Sequence, residues 1–280
     1  MSPLLSIVIA NYNYGRFLED AIKSVLSQNC QNYELIIIDG GSNDCSIDII
    51  KRYSDKVSWW ISEPDKGQSD AFNKGFARAK GRFLTWLNAD DIMLQGTIAV
   101  LEKQVVEKPY VEWFAADTLY VDCEERIVNS GLRLRNNLPF LKFVPPWARI
   151  TAPSTFFSRR LLDEVGGVDV DLHYVMDTDL WIKFTNAGAT VKYLDCFGWA
   201  FRLHEKSKTS ASVVSGHRDG RFKEERILIR RRAGITPVRN LIAYLGKRVA
   251  CLLSGSYFRR RRLLKAIRGM RLEDYANDQY

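Results

Sequence analysis

The sequence is poor in the residues that build disulfide frameworks and zinc sites. Its five cysteines, Cys30, Cys45, Cys123, Cys196 and Cys251, are odd in number and widely spaced, form no Cys-x-x-Cys pair, and are accompanied by only three histidines. That pattern excludes a disulfide-stapled scaffold and a structural zinc module, and reads as free thiols in a reducing compartment. A basic start with an apolar core and a small-residue cleavage site is also missing, because Met1-Ser-Pro3 runs straight into the apolar Leu4 to Ala10. A cytosolic location is the expectation. No long apolar run is present either. A spanning helix needs about 20 apolar residues, and the best stretch, Leu241 to Leu253, is interrupted by Lys247 and Arg248. Internal repeats and low-complexity tracts are absent.

What is present is a chain of 280 residues with 46% hydrophobic and 12% aromatic content, enough for one large α/β domain with an appendage. The net charge of +8 is unevenly spread. Arg221 to Arg271 holds 16 Lys/Arg against 2 Asp/Glu, a net of +14, so the remainder carries −6.

Leu4 to Ala10 reads as a buried strand that ends in Asn11-Tyr-Asn-Tyr-Gly15. Helical spacing over Phe17 to Gln28, a strand at Glu34 to Ile38, helical spacing over 47–53 and a strand at Val57 to Ile61 follow. This alternation predicts a parallel sheet with right-handed crossovers, whose ligands sit at the carboxyl ends of the strands. A helix from Gln68 to Ala79 then leads to a strand at Arg82 to Leu87, which delivers Asn88-Ala-Asp-Asp91 to the same rim. Further on, the patterns predict a helix at Thr97 to Glu107 and strands at Trp113 to Val121 and Arg126 to Leu132. Pro139 to Pro153 reads as a loop, Asp177 to Ala187 as a helix, and Thr190 to Leu194 and Phe197 to Phe201 as strands.

Two adjacent carboxylates, Asp90 and Asp91, after an apolar strand are costly unless a cation neutralises them. Oxygen ligands of this kind suit Mg²⁺ or Mn²⁺ bridging a diphosphate. The competing explanation is a helix N-cap at Asp91 with Asp90 solvated. Asp39, at a strand end before Gly40-Gly41, is placed to accept from a ribose or base, although a turn aspartate is the common alternative. The loop Glu63-Pro-Asp65-Lys-Gly67 is equally ambiguous by itself.

Together these segments are more specific. Ser6-Ile-Val-Ile-Ala-Asn-Tyr-Asn13, Leu35-Ile-Ile-Ile-Asp-Gly-Gly-Ser-Asn-Asp44, Asn88-Ala-Asp-Asp91 and Met176-Asp-Thr-Asp-Leu-Trp181 resemble an inverting family 2 glycosyltransferase of GT-A fold, over roughly residues 4–210. Glu63-Pro-Asp-Lys-Gly-Gln-Ser-Asp-Ala-Phe-Asn-Lys-Gly75 resembles bacterial members that build surface polysaccharides and glycolipids. The resemblance implies a Rossmann-like, mixed and mainly parallel sheet flanked by helices. It implies a donor site of Ala10, Asn11, Tyr12 (against the base), Asp39, Asp65, Asn88 and Asp90, with Asp90, Asp91 and His204 as candidate ligands for Mn²⁺ or Mg²⁺. Asn88 stands where the family often has Asp. Asp177 matches the general base of the family's Glu-Asp motif, with Met176 in place of the Glu, and Asp179 reads as a helix-dipole partner. The implied reaction moves a sugar from a UDP-, GDP- or dTDP-sugar to a glycan or lipid-linked acceptor. Thr151-Ala152 replaces the family's His-Gln before Pro153 to Phe157, so acceptor identity does not carry over.

The division expected is a catalytic domain at 1–220 and a basic amphipathic helical extension at 221–280. Val238 to Met270 interleaves apolar residues with Arg and Lys, which suits helices on the anionic inner face of the cytoplasmic membrane. A packed extension with solvated arginines is the alternative. No recognised nucleic-acid motif accompanies the charge, so no nucleic-acid partner is expected. Two other functions compete. A nucleotidyltransferase would bring a Gly-rich basic phosphate loop after the first strand, which Asn11-Tyr-Asn-Tyr-Gly-Arg16 resembles poorly. A non-catalytic nucleotide-sugar-binding scaffold would have no need of Asp90, Asp91 and Asp177 together.

Overall fold

The nearly continuous apolar run of β1 (Leu5–Asn11), in which only Ser6 and the terminal Asn11 are polar, is what a strand covered on both faces requires, and all of its residues except Ala10 are buried. The structure is a computed structural model and describes residues 2–131, 145, 147, 150, 154–205, 207, 220–253 and 255–278. After β1 come α1 (Gly15–Leu26), β2 (Tyr33–Asp39), α2 (Ser46–Arg52), β3 (Trp59–Ser62), α3 (Gln68–Arg78), β4 (Phe83–Asn88) and β5 (Ile92–Met93). Next are α4 (Thr97–Glu107), β6 (Trp113–Val121), β7 (Ile127–Ser130), β8 (Thr155–Ser158), α5 (Arg159–Glu164), α6 (Met176–Asn186) and β9 (Lys192–Arg202). The C-terminal segment holds α7 (Gly220–Arg232), α8 (Pro237–Leu253), α9 (Ser256–Ile267) and α10 (Leu272–Asp278).

Among the described residues, the strands form one sheet in the order β3-β2-β1-β4-β8-β6-β9-β5, with β7 on β6. β3, β2, β1 and β4 are parallel, as the alternation predicts. Antiparallel β8 joins them to β6, making the sheet mixed. Alternate residues of β1 face opposite layers. Leu5, Ile7 and Ile9 pack with Leu18 and Ile22 of α1 and with Ile98 and Leu101 of α4. Val8 packs with Phe72 and Phe76 of α3, and Trp181 and Phe184 of α6 join that layer.

The closeness of α3 to the sheet depends on a glycine. A Cβ at Gly75 would lie 2.3 Å from Cγ1 of Val8. Gly75→Ala is therefore expected to destabilise the protein by about 1–3 kcal/mol through overpacking, against a helix-propensity gain of about 1 kcal/mol. The midpoint of urea unfolding checks this; an unchanged or higher midpoint would mean that the helix moves away freely.

Several elements differ from the sequence reading. β3 starts at Trp59 because Val57 is held in a turn by its N–H to the Tyr53 carbonyl, and Ser58 is the first to bond β2. β8 was unassigned from sequence, since four residues buried on both sides show no alternation. The two strands expected around Asp195 form one long β9, whose pairing with β6 shifts register. Leu132 and almost all of the Pro139 to Pro153 loop lie outside the described residues.

The segment beyond residue 220 ties back at both ends. In α7, Ile229 and Phe222 join the layer containing Trp181, and Glu225 accepts from the N–H groups of His173 and Tyr174. Ile267, Leu272 and Tyr275 pack with Leu119, Val121, Ile127 and Ala200.

Candidate active site

The parallel register sets Asn11 beside Asp39, Asp39 beside Ser62, and Ala10 beside Asn88, so four strands end on one rim. Asp39 is fully buried and braces it. Its Oδ1 accepts from Asn11 Nδ2 at 2.7 Å and from the Ser42 hydroxyl at 2.6 Å. Its Oδ2 accepts from Ser62 Oγ at 2.7 Å and from the N–H groups of Gly41 and Ser42. With five donors, Asp39 is committed to holding the rim together. The β1 loop is locked to the next by Asn13, which adopts a left-handed φ of 57° and accepts from the Asn43 N–H.

Above Asp39, Tyr12 and Asp65 converge on Gly40. A Cβ there would lie 2.7 Å from Asp65 Oδ2 and 3.3 Å from the Tyr12 ring, so glycine keeps both in place. Tyr12 is 59% exposed, an open aromatic face suited to stacking. Asp65 Oδ1 accepts from the Gly67 N–H, and burial raises the carboxyl above its ordinary range.

Asn88, Asp90 and Asp91 turn at the end of β4, and the two aspartates have different surroundings. Asp91 is 1% exposed; its Oδ2 accepts from Asn88 Nδ2 at 2.8 Å and its Oδ1 from the Arg202 N–H at 3.2 Å. Burial, and then the charge of Asp90, push its carboxyl well above the usual range. Asp90 is partly exposed, and its Oδ2 lies 2.9 Å from His204 Nε2. The His204 ring packs against Phe17 at 4.7 Å and Tyr14 at 5.8 Å. Burial pushes the Tyr14 hydroxyl up to about 12, with the charges of Asp90 and Asp91 adding to it. The charges of Asp90 and Asp91 thus add to an effect that burial dominates. Arg202 runs beneath this corner, pairing with Asp20 at 3.3 Å and Glu125 at 2.7 Å over the Phe17 ring. Among the described residues, no cluster of three or more His, Cys, Asp or Glu side chains stands ready for a metal. Asp90 and His204 nevertheless offer one hard oxygen and one imidazole nitrogen beside the second carboxylate of Asp91, a donor pair that would suit Mn²⁺ better than Mg²⁺, which prefers oxygen ligands.

Asp177 lies in the first turn of α6. Trp181, one turn on, stacks on Trp86 of β4 with ring centroids 5.4 Å apart and planes 4° apart, which fixes the helix to the sheet. Ser69 Oγ, at the start of α3, donates to the Leu172 carbonyl and contacts Met176 Sδ at 2.9 Å. Its neighbour Gln68 donates to Asn88 Oδ1 at 2.7 Å. The start of α6, where Met176 precedes Asp177, is thereby linked through α3 to the Asn88–Asp91 turn. The Oδ1 of Asp177 accepts from the N–H and hydroxyl of Thr178. Burial raises the carboxyl, against those bonds. Asp179 points into the protein and pairs with Lys183 at 2.9 Å.

Sequence reasoning missed Ser62, Gln68 and Arg202. Arg202 carried a signal, since an arginine closing an aromatic strand needs carboxylates when buried. The serine and the glutamine carried none.

Comparison with known proteins identifies the family. The profile of glycosyl transferase family 2 matches residues 6–166. An uncharacterized glycosyltransferase of Rickettsia typhi is 29% identical over 194 residues, 65% of this chain and 59% of that protein. Glycosyltransferase GlyG of Streptococcus pneumoniae is 36% identical over 111 residues, 39% of this chain and 37% of that one. The match thus spans about three-fifths or less of these relatives' length. Among solved structures, S. aureus TarS 1–349 in complex with UDP-GlcNAc aligns with a TM-score of 0.61 at 16% identity, over 75% of this chain and 61% of that one. The mannosyltransferase PcManGT of Pyrobaculum calidifontis, in complex with GDP-Man and Mn²⁺, aligns with a TM-score of 0.58 at 15% identity, over 91% and 76%. These likenesses are of fold, the GT-A arrangement of a mainly parallel sheet flanked by helices. With a profile match over more than half its length, on a rim built as described, the chain belongs to glycosyl transferase family 2.

Proposed function

We propose that the protein is an inverting glycosyltransferase that moves a sugar from a nucleotide sugar, carrying UDP, GDP or dTDP, to a glycan or lipid-linked acceptor of the kind used in surface-polysaccharide assembly. The observation that supports the reading is the meeting of Tyr12 with Asp65 at Gly40 and of Asp90 with His204 at the strand ends, with Met176, the residue before Asp177, in contact with Ser69 beside Gln68, which donates to Asn88.

Tyr12 stacks on the base, and Asp65 accepts a hydrogen bond from the nucleoside. Asp39 acts beneath them, holding Asn11 and the Gly40 turn in shape. Asp90 and His204 hold the divalent cation, while Asp91 and Asn88 keep the turn rigid. When bound, that cation supplies neutralising charge for the departing nucleoside diphosphate. Asp177 takes the proton from the acceptor hydroxyl as its oxygen attacks the anomeric carbon from the side opposite the leaving group, and one such displacement inverts the centre. Thr178 fixes one carboxylate oxygen of Asp177 and leaves the other for the acceptor. Burial raises the affinity of that oxygen for a proton, which suits a base.

Gly40→Ala tests the nucleoside side. A methyl group there displaces Asp65 and Tyr12 while touching only side-chain ends, so nucleotide-sugar binding should weaken roughly tenfold, or 1.4 kcal/mol, with thermal stability nearly unchanged. Calorimetric titration reads it, and unaltered affinity would remove Tyr12 and Asp65 from the donor site. Release of nucleoside diphosphate rather than pyrophosphate on turnover tests the reaction class.

A further inference from the structure

The helix α8 is amphipathic in the reverse of the usual sense. Val238, Ile242, Leu245, Val249 and Leu252 recur at spacings of four, three, four and three, and with Leu241 and Leu253 they form one aliphatic stripe. All seven are exposed, between 48% and 66%. The opposite face instead carries Ala243, Ala250 and Cys251, which are buried, together with Lys247, whose ammonium pKa is lowered by burial. An ordinary surface helix buries its large aliphatics, so this stripe, uncovered by the described residues, is suited to a partner. It continues at the start of α9, where Tyr257 and Phe258 are exposed.

Charge identifies the partner. Directly after Phe258 come Arg259 to Arg262, and Tyr257, Arg260, Arg261, Lys265 and Arg268 line an open groove on α9. Arg260 is fastened to the sheet by donating to the Ser130 carbonyl and Asn129 Oδ1, so the surface is held rigidly on the domain. A second copy of the chain would bring its own +14 segment against this one and be repelled, whereas an anionic surface with an apolar interior satisfies both stripe and groove. No described helix is long and apolar enough to cross a membrane.

We infer that α8 and the start of α9 form a face that lies in an anionic lipid bilayer, the aliphatic stripe of α8 entering the acyl boundary and the arginines of α9 resting among the headgroups. The inference stands on the exposed stripe and the basic groove, independently of the sugar-transfer reading. It also accounts for a C-terminal segment anchored by Ile267, Leu272 and Tyr275 while the outer face of α8 stays bare.

The full chain, in sedimentation with vesicles of phosphatidylcholine alone or with 30% phosphatidylglycerol (about one lipid in three, a typical anionic load), is expected to pellet with the second and at least tenfold less with the first, and less again as salt rises. Ile242→Glu with Val249→Glu should abolish pelleting, and Arg261→Glu with Arg262→Glu should weaken it at least tenfold. All four positions are exposed, so the variants should keep the wild-type circular dichroism and melting temperature. As a second readout, Leu245→Trp in the otherwise unchanged chain should shift its added emission to the blue on anionic vesicles. Equal pelleting of wild type with both vesicle types, undiminished binding by both double variants, or a lipid-free dimer broken by Ile242→Glu would each overturn the inference.

Discussion

Asp177→Asn is expected to lower kcat by about 10²-fold or more, with nucleotide-sugar affinity nearly unchanged, because the amide keeps the size and the Thr178 contacts but cannot take a proton. The pH profile gives a second signature. Burial raises the Asp177 carboxyl, and the base must be ionised to act, so kcat/KM should fall as pH drops through a value above the ordinary carboxylate range. That acid limb should vanish in the residual activity of Asp177→Asn. Near-normal turnover by the variant would assign the proton to another residue. Asp179→Asn serves as the comparison. Its carboxylate pairs inward with Lys183, so it should affect melting temperature more than turnover.

The second large effect concerns the two adjacent aspartates, which the account separates. Asp90→Ala should cost about 3 kcal/mol of transition-state stabilisation, roughly 10²-fold in rate, and weaken Mn²⁺-dependent nucleotide binding, with a smaller loss of stability than at Asp91, because the loss of the His204 partner is offset by relief of the repulsion between the two aspartates. Asp91→Ala leaves Asn88 and the Arg202 N–H without an acceptor in a buried site, so it should lower the unfolding free energy by about 1–3 kcal/mol. A chelator should abolish wild-type activity. Full turnover in chelator, or equal stability of the two variants with equal loss of metal affinity, would remove the distinction.

The parallel half of the fold was legible because strands covered on both faces need apolar runs, as Ile7 to Ala10 and Leu35 to Ile38 show. Positions at strand ends followed from topology alone, so Asn11, Asp39 and Asn88 were expected on one rim before any coordinates. What escaped depended on pairing across long sequence separations. Thr155 to Ser158 becomes a strand only because β4 and β6 flank it. The differing surroundings of Asp90 and Asp91 arise from His204 and Arg202, more than a hundred residues away, and nothing within Asn88-Ala-Asp-Asp91 distinguishes them. The saturation of Asp39 has the same origin, since Ser62 belongs to another strand. In the C-terminal segment the composition revealed charge mixed with apolar residues, but only the packing shows which side of α8 faces out.

The central claim is that this rim holds a nucleotide sugar through Asp90 and His204 with a divalent cation. Calorimetric titration of the full chain with UDP-, GDP- and dTDP-sugars, with and without Mn²⁺, tests it most directly. At least one donor is expected to bind, with a Kd within roughly 1 μM to 1 mM, only when Mn²⁺ is present; Asp90→Ala should lose this binding and Asp177→Asn should keep it. Absence of donor binding to the folded, Mn²⁺-supplied protein, or binding indifferent to both Mn²⁺ and Asp90→Ala, would contradict it.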